Sequence, residues 1–386
     1  MSKGGRYLKK KPAGGKGKKV VLILLLVLVL LIGGIAGGGW WYYNHLLDQI
    51  PKAEYSDNSL SDEQLEEILG YVPEKESTAA TEETTEATTV PTEPKAADYG
   101  KTGKIVNIML VGQQSREGES TKLSDTMILC TINKETKTLT LTSFLRDLYI
   151  QLPNYKGHVC GQQRINVAYN LGWHWAGDLG GMEMLNMLIY NNFGVEVDHN
   201  VEVDFTAFEK IIDIFGGIDV ELTAEEAAYL SDDSLDYYDK DAVFEEGMNH
   251  MDGFFALHYA RMRKSSANDN DFKRTSRQRE LIGILLEKCK TMSLSELNEI
   301  IDTVLPMILT NMTNEEITTY ILELLPLLPE LTMVSNQCPA EETYWGEIVS
   351  ISGVESGVIK CNVQKNKELL MAIAEEPVVE ETQPAG

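Results

Sequence analysis

From position 104 onward the chain alternates short apolar runs with segments whose apolar residues recur every three or four positions. "KIVNIMLVG" (104–112) is an almost unbroken apolar run and reads as a buried strand. "TMILCTINKETKTLTLTSF" (126–144) reads as two strands joined by a tight turn at 133–138. "GMEMLNMLIYNNFG" (181–194) has helical periodicity and a glycine stop at Gly194. "DHNVEV" is a short strand. "DFTAFEKIIDIFGG" is a helix with Asp204 as N-cap and Gly216 just past its end. "IDVEL" is another strand. Residues 273–290 form one helix, with Leu281, Leu285, Leu286 and Cys289 facing inward, and it follows a helix around "FFALHY". "LSELNEIIDTVLPMIL" and "NEEITTYILELLPLL" add amphipathic helices, and 331–375 reads as short strands and a last helix. Strands alternating with helices predict an α/β domain, an αβα sandwich with a mixed central sheet and helices on both faces.

The N-terminal part has a different pattern. Residues 1–19 carry eight basic residues and no acid. Residues 20–39 follow, "VVLILLLVLVLLIGGIAGGG", with no charge. At about 1.5 Å per residue this run crosses a hydrocarbon core of ~30 Å, and the "WWYY" after it suits a membrane–water interface. The basic flank keeps the N-terminus cytoplasmic and sends the rest outward. The leucine-rich part with "GIAGGG" behind it also suits a cleaved signal peptide. Both readings take the bulk of the chain out of the cytoplasm; the length of the run and the aromatic belt favour a transmembrane helix.

Residues 40–100 comprise a juxtamembrane stretch, with a short helix around "SDEQLEEILGYV", and a Thr/Glu/Pro-rich segment, 75–98. That segment buries too little apolar surface to fold and reads as a stalk. The main domain is expected over 101–290, an extension of it over 291–375, and a disordered tail over 376–386.

Charge narrows the functional classes. The chain carries a formal net charge of −25. Without the first nineteen residues, 26 positive and 59 negative charges remain, a net of −33 that repels nucleic acid. Five cysteines are too few and too scattered for a disulfide scaffold or a zinc site. Cys130 belongs to an apolar strand and reads as core; a Cys338–Cys361 bridge is left open.

Against this acidity, "ARMRKSSANDNDFKRTSRQRE" (260–280) gathers seven basic residues. Arg261 and Arg263 leave one helix, and Arg274 and Arg277 stand three apart near the start of the next. Such a group either clamps a phosphate with forked donors at a helix N-terminus or forms a solvated basic face. A second cluster follows the apolar strands: Arg146 and Asp147 after one, and Gln114, Ser115, Arg116, Ser124 and Asp125 in a loop between two others. Strand ends are where α/β folds bind ligands. A carboxylate beside arginines suits Mg²⁺ against phosphate oxygens, and Arg146–Asp147 also suits a structural ion pair. "GWHWAGD" (172–178) reads as a Gly-rich loop whose tryptophans either stack on sugars or pack. There is no phosphate-loop, zinc-protease or nucleophile-elbow motif.

The combination resembles the LytR-CpsA-Psr family of cell-envelope glycopolymer ligases. "IMLVGQQSR" is similar to its G-x-D-x-R strand end, "LSDTMILCTIN" to its R-S-D-T strand and "LTSFLRDLYIQLP" to its S-x-P-R-D segment. "RINVAYNLG" is similar to its K/R-I-N-x-A-Y segment and "VEVDFTAFEKIIDIFGGIDVEL" to its V-D-F block. "HYARMRKSSANDNDFKRTSRQRE" resembles its Y-x-R-x-R…R-x-x-R-Q block. The resemblance implies transfer of a polyprenyl-pyrophosphate-linked teichoic acid or polysaccharide to a peptidoglycan sugar hydroxyl, at the outer face of the cell membrane. It implies that Arg116, Arg146, Arg261, Arg263, Arg274, Arg277 and Gln278 hold the pyrophosphate. Asp125 would bind Mg²⁺ and take the acceptor proton, and Gln114 would be the second metal ligand. Two departures stand out: Gln114 occupies a family aspartate's position, and Leu123, beside Lys122, occupies an arginine's. They leave open a catalytically weakened relative that binds lipid or polymer.

Overall fold

The computed structural model describes residues 45–56, 60–69, 72–73, 103–113, 122–232, 242–263, 270–292, 304–351 and 353–374. In chain order its elements begin with α1 (Asp62–Leu69), β1 (Ile105–Gln113), β2 (Ser124–Asn133), β3 (Thr138–Phe144), β4 (Tyr149–Gln151) and β5 (Gln162–Arg164). Next come α2 (Asn166–Phe193), β6 (His199–Asp204), α3 (Phe205–Ile214), β7 (Ile218–Leu222), α4 (Ala224–Leu230) and β8 (Gly247–Met251). The chain continues through α5 (Gly253–Arg261), α6 (Asp271–Cys289), β9 (Ile308–Thr310), α7 (Asn314–Leu324), β10 (Thr332–Cys338), β11 (Tyr344–Ile351), β12 (Val354–Cys361) and α8 (Val363–Ala374).

Six strands form a mixed sheet in the order β10-β3-β2-β1-β6-β9. β1 pairs antiparallel with β2 and parallel with β6, while β3 pairs antiparallel with β2 and parallel with β10. These directions bring the end of β1, the start of β2 and the ends of β3 and β6 to one rim. Alternation along the strands splits the core into two apolar layers. Val106, Ile108, Ile128 and Cys130 pack with Ile211, Leu281 and Leu285 of α3 and α6. Met109, Val111, Met127 and Leu129 pack on the other face with Leu185 and Ile189 of α2 and Leu370 of α8. The expected mixed sheet and its helices are thus present. β7 and β8 form a separate pair beside the sheet, so "IDVEL" is a strand of a side hairpin.

Four local differences from the sequence expectations have physical causes. First, α2 begins at Asn166, and "GWHWAGD" is a break inside it, not a loop: Ala176 (φ −155°) and Gly177 (φ 72°) leave helical geometry. A side chain at Gly177 would collide with the backbone of Ser56. Second, "MILT" ends as the edge strand β9, antiparallel to β6, because pairing satisfies the sheet edge. Third, β10 enters the central sheet beside β3, so the C-terminal region completes the same core. Fourth, residues 45–56 are more than a juxtamembrane connection. Leu46, Leu47 and Ile50 are buried in the layer with Val106 and Ile108. Lys52 bridges to Thr310, and the Ala53 N–H donates to the Thr310 carbonyl at 2.9 Å. The Ser56 N–H donates to the Ala176 carbonyl at 3.2 Å.

The short helix expected around 61–72 is α1. The capping expectations also hold: Asp204 accepts from the Ala207 N–H at 2.7 Å, and Gly216 follows α3 with φ 72°. Cys130 is buried, and Cys338 and Cys361 are free thiols. Residues 20–39 and 75–98 lie outside the described residues; among the described ones no helix is long and apolar enough to cross a membrane.

Two outcomes follow for stability. Leu47→Ala should lose about 2–4 kcal/mol in urea unfolding, since Leu47 is 1% exposed; a protein starting at Asp98 should be similarly weakened. Asp198, whose Oδ2 accepts from the Asn107 N–H at 2.6 Å, is held by burial at a pKa of about 6, above the ordinary 3.8. A raised folded pKa favours the folded state below about pH 4 and loses that contribution as pH rises through 6. Asp198→Asn, which still accepts the amide hydrogen bond, should therefore gain roughly 1–3 kcal/mol relative to wild type between pH 4 and pH 8.

Candidate functional site

The rim of the sheet opens into a cavity of about 450 Å³ between the sheet and α3, α5 and α6. One end is polar: Asp125 from β2, Arg146 just after β3, Arg261 and Arg263 at the end of α5, and Arg274 on α6. Most of the rest is apolar, with Leu110, Val203, Phe208, Leu257 and Ile282 among its walls and Thr126, Asp204 and Gln278 as polar exceptions. A single stripe of α6 carries this gradient. Arg274, Gln278, Leu281, Ile282 and Leu285 all line the cavity, at spacings that keep one helical face, over about 16 Å of axis.

The arginines are held by carboxylates. Arg146 Nη1 donates to Asp125 Oδ1 at 2.6 Å, and Arg274 Nη2 donates to the Asp125 carbonyl at 3.1 Å. Asp271, the first residue of α6, pairs with Arg263 at 3.0 Å and Arg274 at 2.8 Å. Asp147 lies 3.8 Å from Arg146, 3.5 Å from Arg164 and 4.0 Å from Arg263. Asn270 caps α6, accepting from the Lys273 N–H at 3.2 Å, which fixes the helix start between these groups. Burial lowers the Arg274 pKa to about 10, and Asp271 works against that shift; the guanidinium stays charged at neutral pH. Even so, among the described residues Nε of Arg146 and Nε of Arg274 are buried without a hydrogen-bond acceptor. Buried donors of this kind are costly unless something accepts from them. The guanidinium groups that line the cavity offer forked donors of the kind that suit an anion carrying several oxygens.

The sequence-expected residues divide three ways. Asp125, Arg146, Arg261, Arg263, Arg274 and Gln278 are brought together on the cavity, with Arg261 also stacked 4.5 Å over the Phe205 ring. Gln114 and Arg116 lie outside the described residues. Arg277 corrects an expectation. It turns away from the cavity, donating from Nε to Glu226 at 2.8 Å and from Nη1 to the Met262 carbonyl at 2.9 Å. Three helical positions leave it about 60° around the axis from Arg274, on the side opposite Gln278. Glu226 also closes the capping box of α4 with Thr223, so Arg277 fastens α4 to α6.

Lys122, beside the departure at Leu123, points elsewhere too. It pairs with Asp178 at 2.8 Å and Glu202 at 3.1 Å. Burial works to lower its pKa, but the two carboxylates outweigh burial and raise it. Asp271 and Arg164 were not singled out from the sequence as site residues. The signal for Asp271 was its place directly after a capping asparagine, amid the arginines.

A pair of substitutions separates the two kinds of arginine. Arg274→Gln should reduce the affinity for inorganic pyrophosphate at least tenfold in calorimetry. Arg277→Gln should leave that affinity near wild type and instead lower stability by about 2–4 kcal/mol, because Glu226 and the Met262 carbonyl lose a buried partner.

Comparison with known proteins identifies the family and the fold. The LytR_cpsA_psr family model matches residues 69–361. A curated relative from Oceanobacillus iheyensis, "Polyisoprenyl-teichoic acid--peptidoglycan teichoic acid transferase TagU", is 30% identical over 198 residues, 51% of this chain and 56% of that one. The chain therefore spans just over half the length of that relative. The crystal structure of protein gbs0355 from Streptococcus agalactiae superposes with a TM-score of 0.57 at 26% identity, covering 71% of this chain and 89% of that one. The fold is also that of TagT, the LytR-CPS2A-psr family protein YwtF, solved with bound octaprenyl pyrophosphate lipid: TM-score 0.50, 22% identity, 74% of this chain and 95% of that one. With three quarters of its length matched by the family model, this chain belongs to the LytR-CpsA-Psr family.

Proposed function

We propose that this protein is a membrane-anchored, extracytoplasmic phosphotransferase that moves a glycopolymer from a polyprenyl pyrophosphate carrier onto a peptidoglycan sugar hydroxyl. The observation that carries the reading is the polarity gradient of the cavity. Arginines stand at one end and an apolar wall runs away from them along one helix. A pyrophosphate on a long hydrocarbon uses both halves. The names of the relative and of the TagT complex, a teichoic acid transferase and an octaprenyl pyrophosphate complex, agree with that ligand class. The uncharged run at 20–39 supplies the anchor and leaves the domain on the outer face, where such donors are consumed.

In this reading the pyrophosphate lies across Arg146, Arg263 and Arg274, and the isoprenoid follows Leu281, Ile282 and Leu285. The acceptor oxygen attacks the sugar-side phosphorus, a new P–O bond forms, and the anhydride P–O bond breaks to release polyprenyl phosphate. Asp125 orients the hydroxyl and takes its proton, while Arg146 fixes the carboxylate and faces the charge that develops on the phosphoryl oxygens. Such a reaction gains more from positioning and charge stabilisation than from a protein nucleophile.

Mg²⁺ fits this arrangement as a shared ion. Magnesium is ordinarily held by one or two carboxylates together with phosphate oxygens and water, and Asp125 supplies one carboxylate beside the arginines. Among the described residues no group of three or more His, Cys, Asp or Glu would hold a metal by itself. When bound, the ion would neutralise phosphate charge, and Gln114, in place of a family aspartate, would weaken its hold. Gln114 also favours a second reading, a relative that binds the donor without turning it over.

One assay decides between them: the full chain in detergent with a synthetic polyprenyl-pyrophosphate glycan, peptidoglycan oligomers and Mg²⁺. Transfer should appear, fall at least a hundredfold in Arg146→Ala and fall on chelation; Gln114→Asp should need less Mg²⁺. Donor binding that depends on Arg146, with no transfer in wild type or Gln114→Asp, would establish the binding relative instead.

A further inference from the structure

Asp125 reaches the cavity through an irregularity in β2. β1 and β2 pair one to one from Ile105–Asn133 to Gly112–Thr126; then Gln113 stands opposite Ser124, and Asp125 has no partner on β1. It is the extra residue of a β-bulge. The bulge changes where its side chain points. Ile128 and Cys130 belong to the layer of α3 and α6, and Met127 and Leu129 to the layer of α2. Regular alternation back from these would set Asp125 with Met127 against α2, and Ser124 with Ile128 toward the cavity. The structure reverses both. Asp125 lines the cavity together with Thr126, while Ser124 Oγ donates to the Asn166 carbonyl of α2 at 3.4 Å. Re-aiming a side chain in this way is a recurrent use of bulges.

The bulge is held from both faces of the sheet. On the cavity side Arg274 donates to the Asp125 carbonyl at 3.1 Å. On the α2 side the holder is Gln113. It continues the β1 face of Met109 and Val111 and is 0% exposed. An amide in an apolar layer is costly unless it is hydrogen-bonded. In the orientation that satisfies both ends of this amide, Nε2 donates to the Lys122 and Leu123 carbonyls at 3.2 and 3.1 Å. Lys122 fastens the same segment. Its N–H donates to Asn170 Oδ1 at 2.9 Å, and its ammonium pairs with Asp178 and with Glu202, to which Tyr169 also donates. Gly112 lets the two strands close over the bulge, since a side chain there would come within 2.8 Å of Thr126 Cβ.

Resting on the transfer reading above, we infer that Gln113 is a positioning residue for transfer: from behind the sheet it holds the bulge that turns the Asp125 carboxylate into the cavity. Gln113 does not line the cavity itself. Its loss should therefore act on the rate and leave ligand affinity alone.

Gln113→Met keeps the side-chain length and removes the donor to both carbonyls. Asn107→Leu is the control. Asn107 is buried at the other end of the same strand, donating to the Ala374 carbonyl at 3.0 Å and accepting from Thr131 at 2.8 Å. Both full-length variants should melt at lower temperature than wild type. Only Gln113→Met should lose kcat, by about tenfold to a hundredfold, with donor KM, acceptor KM and inorganic pyrophosphate affinity near wild type. Gln113→Asn, which keeps the amide but shortens its reach, should show the same split less strongly.

A second readout needs no transfer. Asp125→Cys places a thiol beside the arginines, and its carboxymethylation by iodoacetate is followed by peptide mass spectrometry. Adding Gln113→Met should slow the labelling about tenfold, as the thiol turns from the arginines toward the α2 layer. Adding Asn107→Leu should not slow it.

Labelling at one rate with and without Gln113→Met, an equal kcat loss in Gln113→Met and Asn107→Leu, or a raised KM with kcat kept would overturn the role of Gln113. The two readings fail separately. Transfer by wild type with an unchanged kcat in Gln113→Met removes that role and keeps the transferase. Labelling that depends on Gln113 in a chain that transfers nothing keeps Gln113 as the holder of Asp125 and removes the transferase.

Discussion

The structure depends most on how it keeps several guanidinium groups side by side and partly out of water. Like charges at this spacing repel, and burial adds a desolvation cost of several kcal/mol for each. Asp125, Asp147 and Asp271 offset both terms: the Asp125 carboxylate pairs with Arg146, Asp271 with Arg263 and Arg274, and Asp147 with Arg146, Arg164 and Arg263. Each of these acids comes from a different part of the fold: a strand start, a strand exit and a helix start. The cluster therefore exists only when β2, β3 and α6 are in register with one another. The same ion pairs hold the donors in place before any ligand arrives, so little ordering remains to be done on binding.

Around that cluster the fold solves a second problem, making one cavity charged at one end and apolar along its length. A helix does this economically because one stripe can change composition along its axis. α6 reads Arg274, Gln278, Leu281, Ile282, Leu285 on one line. The sheet beneath supplies Leu110 and Ile128, and α3 and α5 supply the opposite wall. The N-terminal stretch 45–56 belongs to the same apolar layer through Leu46, Leu47 and Ile50. The domain thus begins a few residues after the uncharged run, and the Thr/Glu-rich segment connects two parts of one core, β9 with its docked strand and β1.

Much of the candidate site was legible in the chain because its residues follow short-range rules. Arg146 lies directly after an apolar strand, and Arg274 lies in the first turn of a capped helix. Both positions are ligand-facing for reasons of backbone geometry. Arg277 shows where short-range reasoning stops. Three residues apart on a helix means neighbouring but not collinear, and Glu226 from a distant helix drew it away from the cavity. "GWHWAGD" misled for a related reason. Its glycines permit a loop, but the selection of a kinked helix came from the docking of residues 54–56 against the break.

The sequence alone determined what depends on neighbours within a turn or a strand: the apolar strands, the caps at Asp204 and Gly216, the length of α6 and the clustering of arginine in an acidic chain. It also carried the family resemblance, which rests on short motifs in order. Tertiary structure decided what depends on approach between distant segments. It chose which of the arginines share a cavity, made residues 308–310 an edge strand, drew 45–56 into the core and set the β11–β12 hairpin beside Asp147. Local propensity is fixed by a few adjacent side chains. Partner choice is fixed by which buried charges and unpaired backbone groups must be satisfied once the chain has closed on itself.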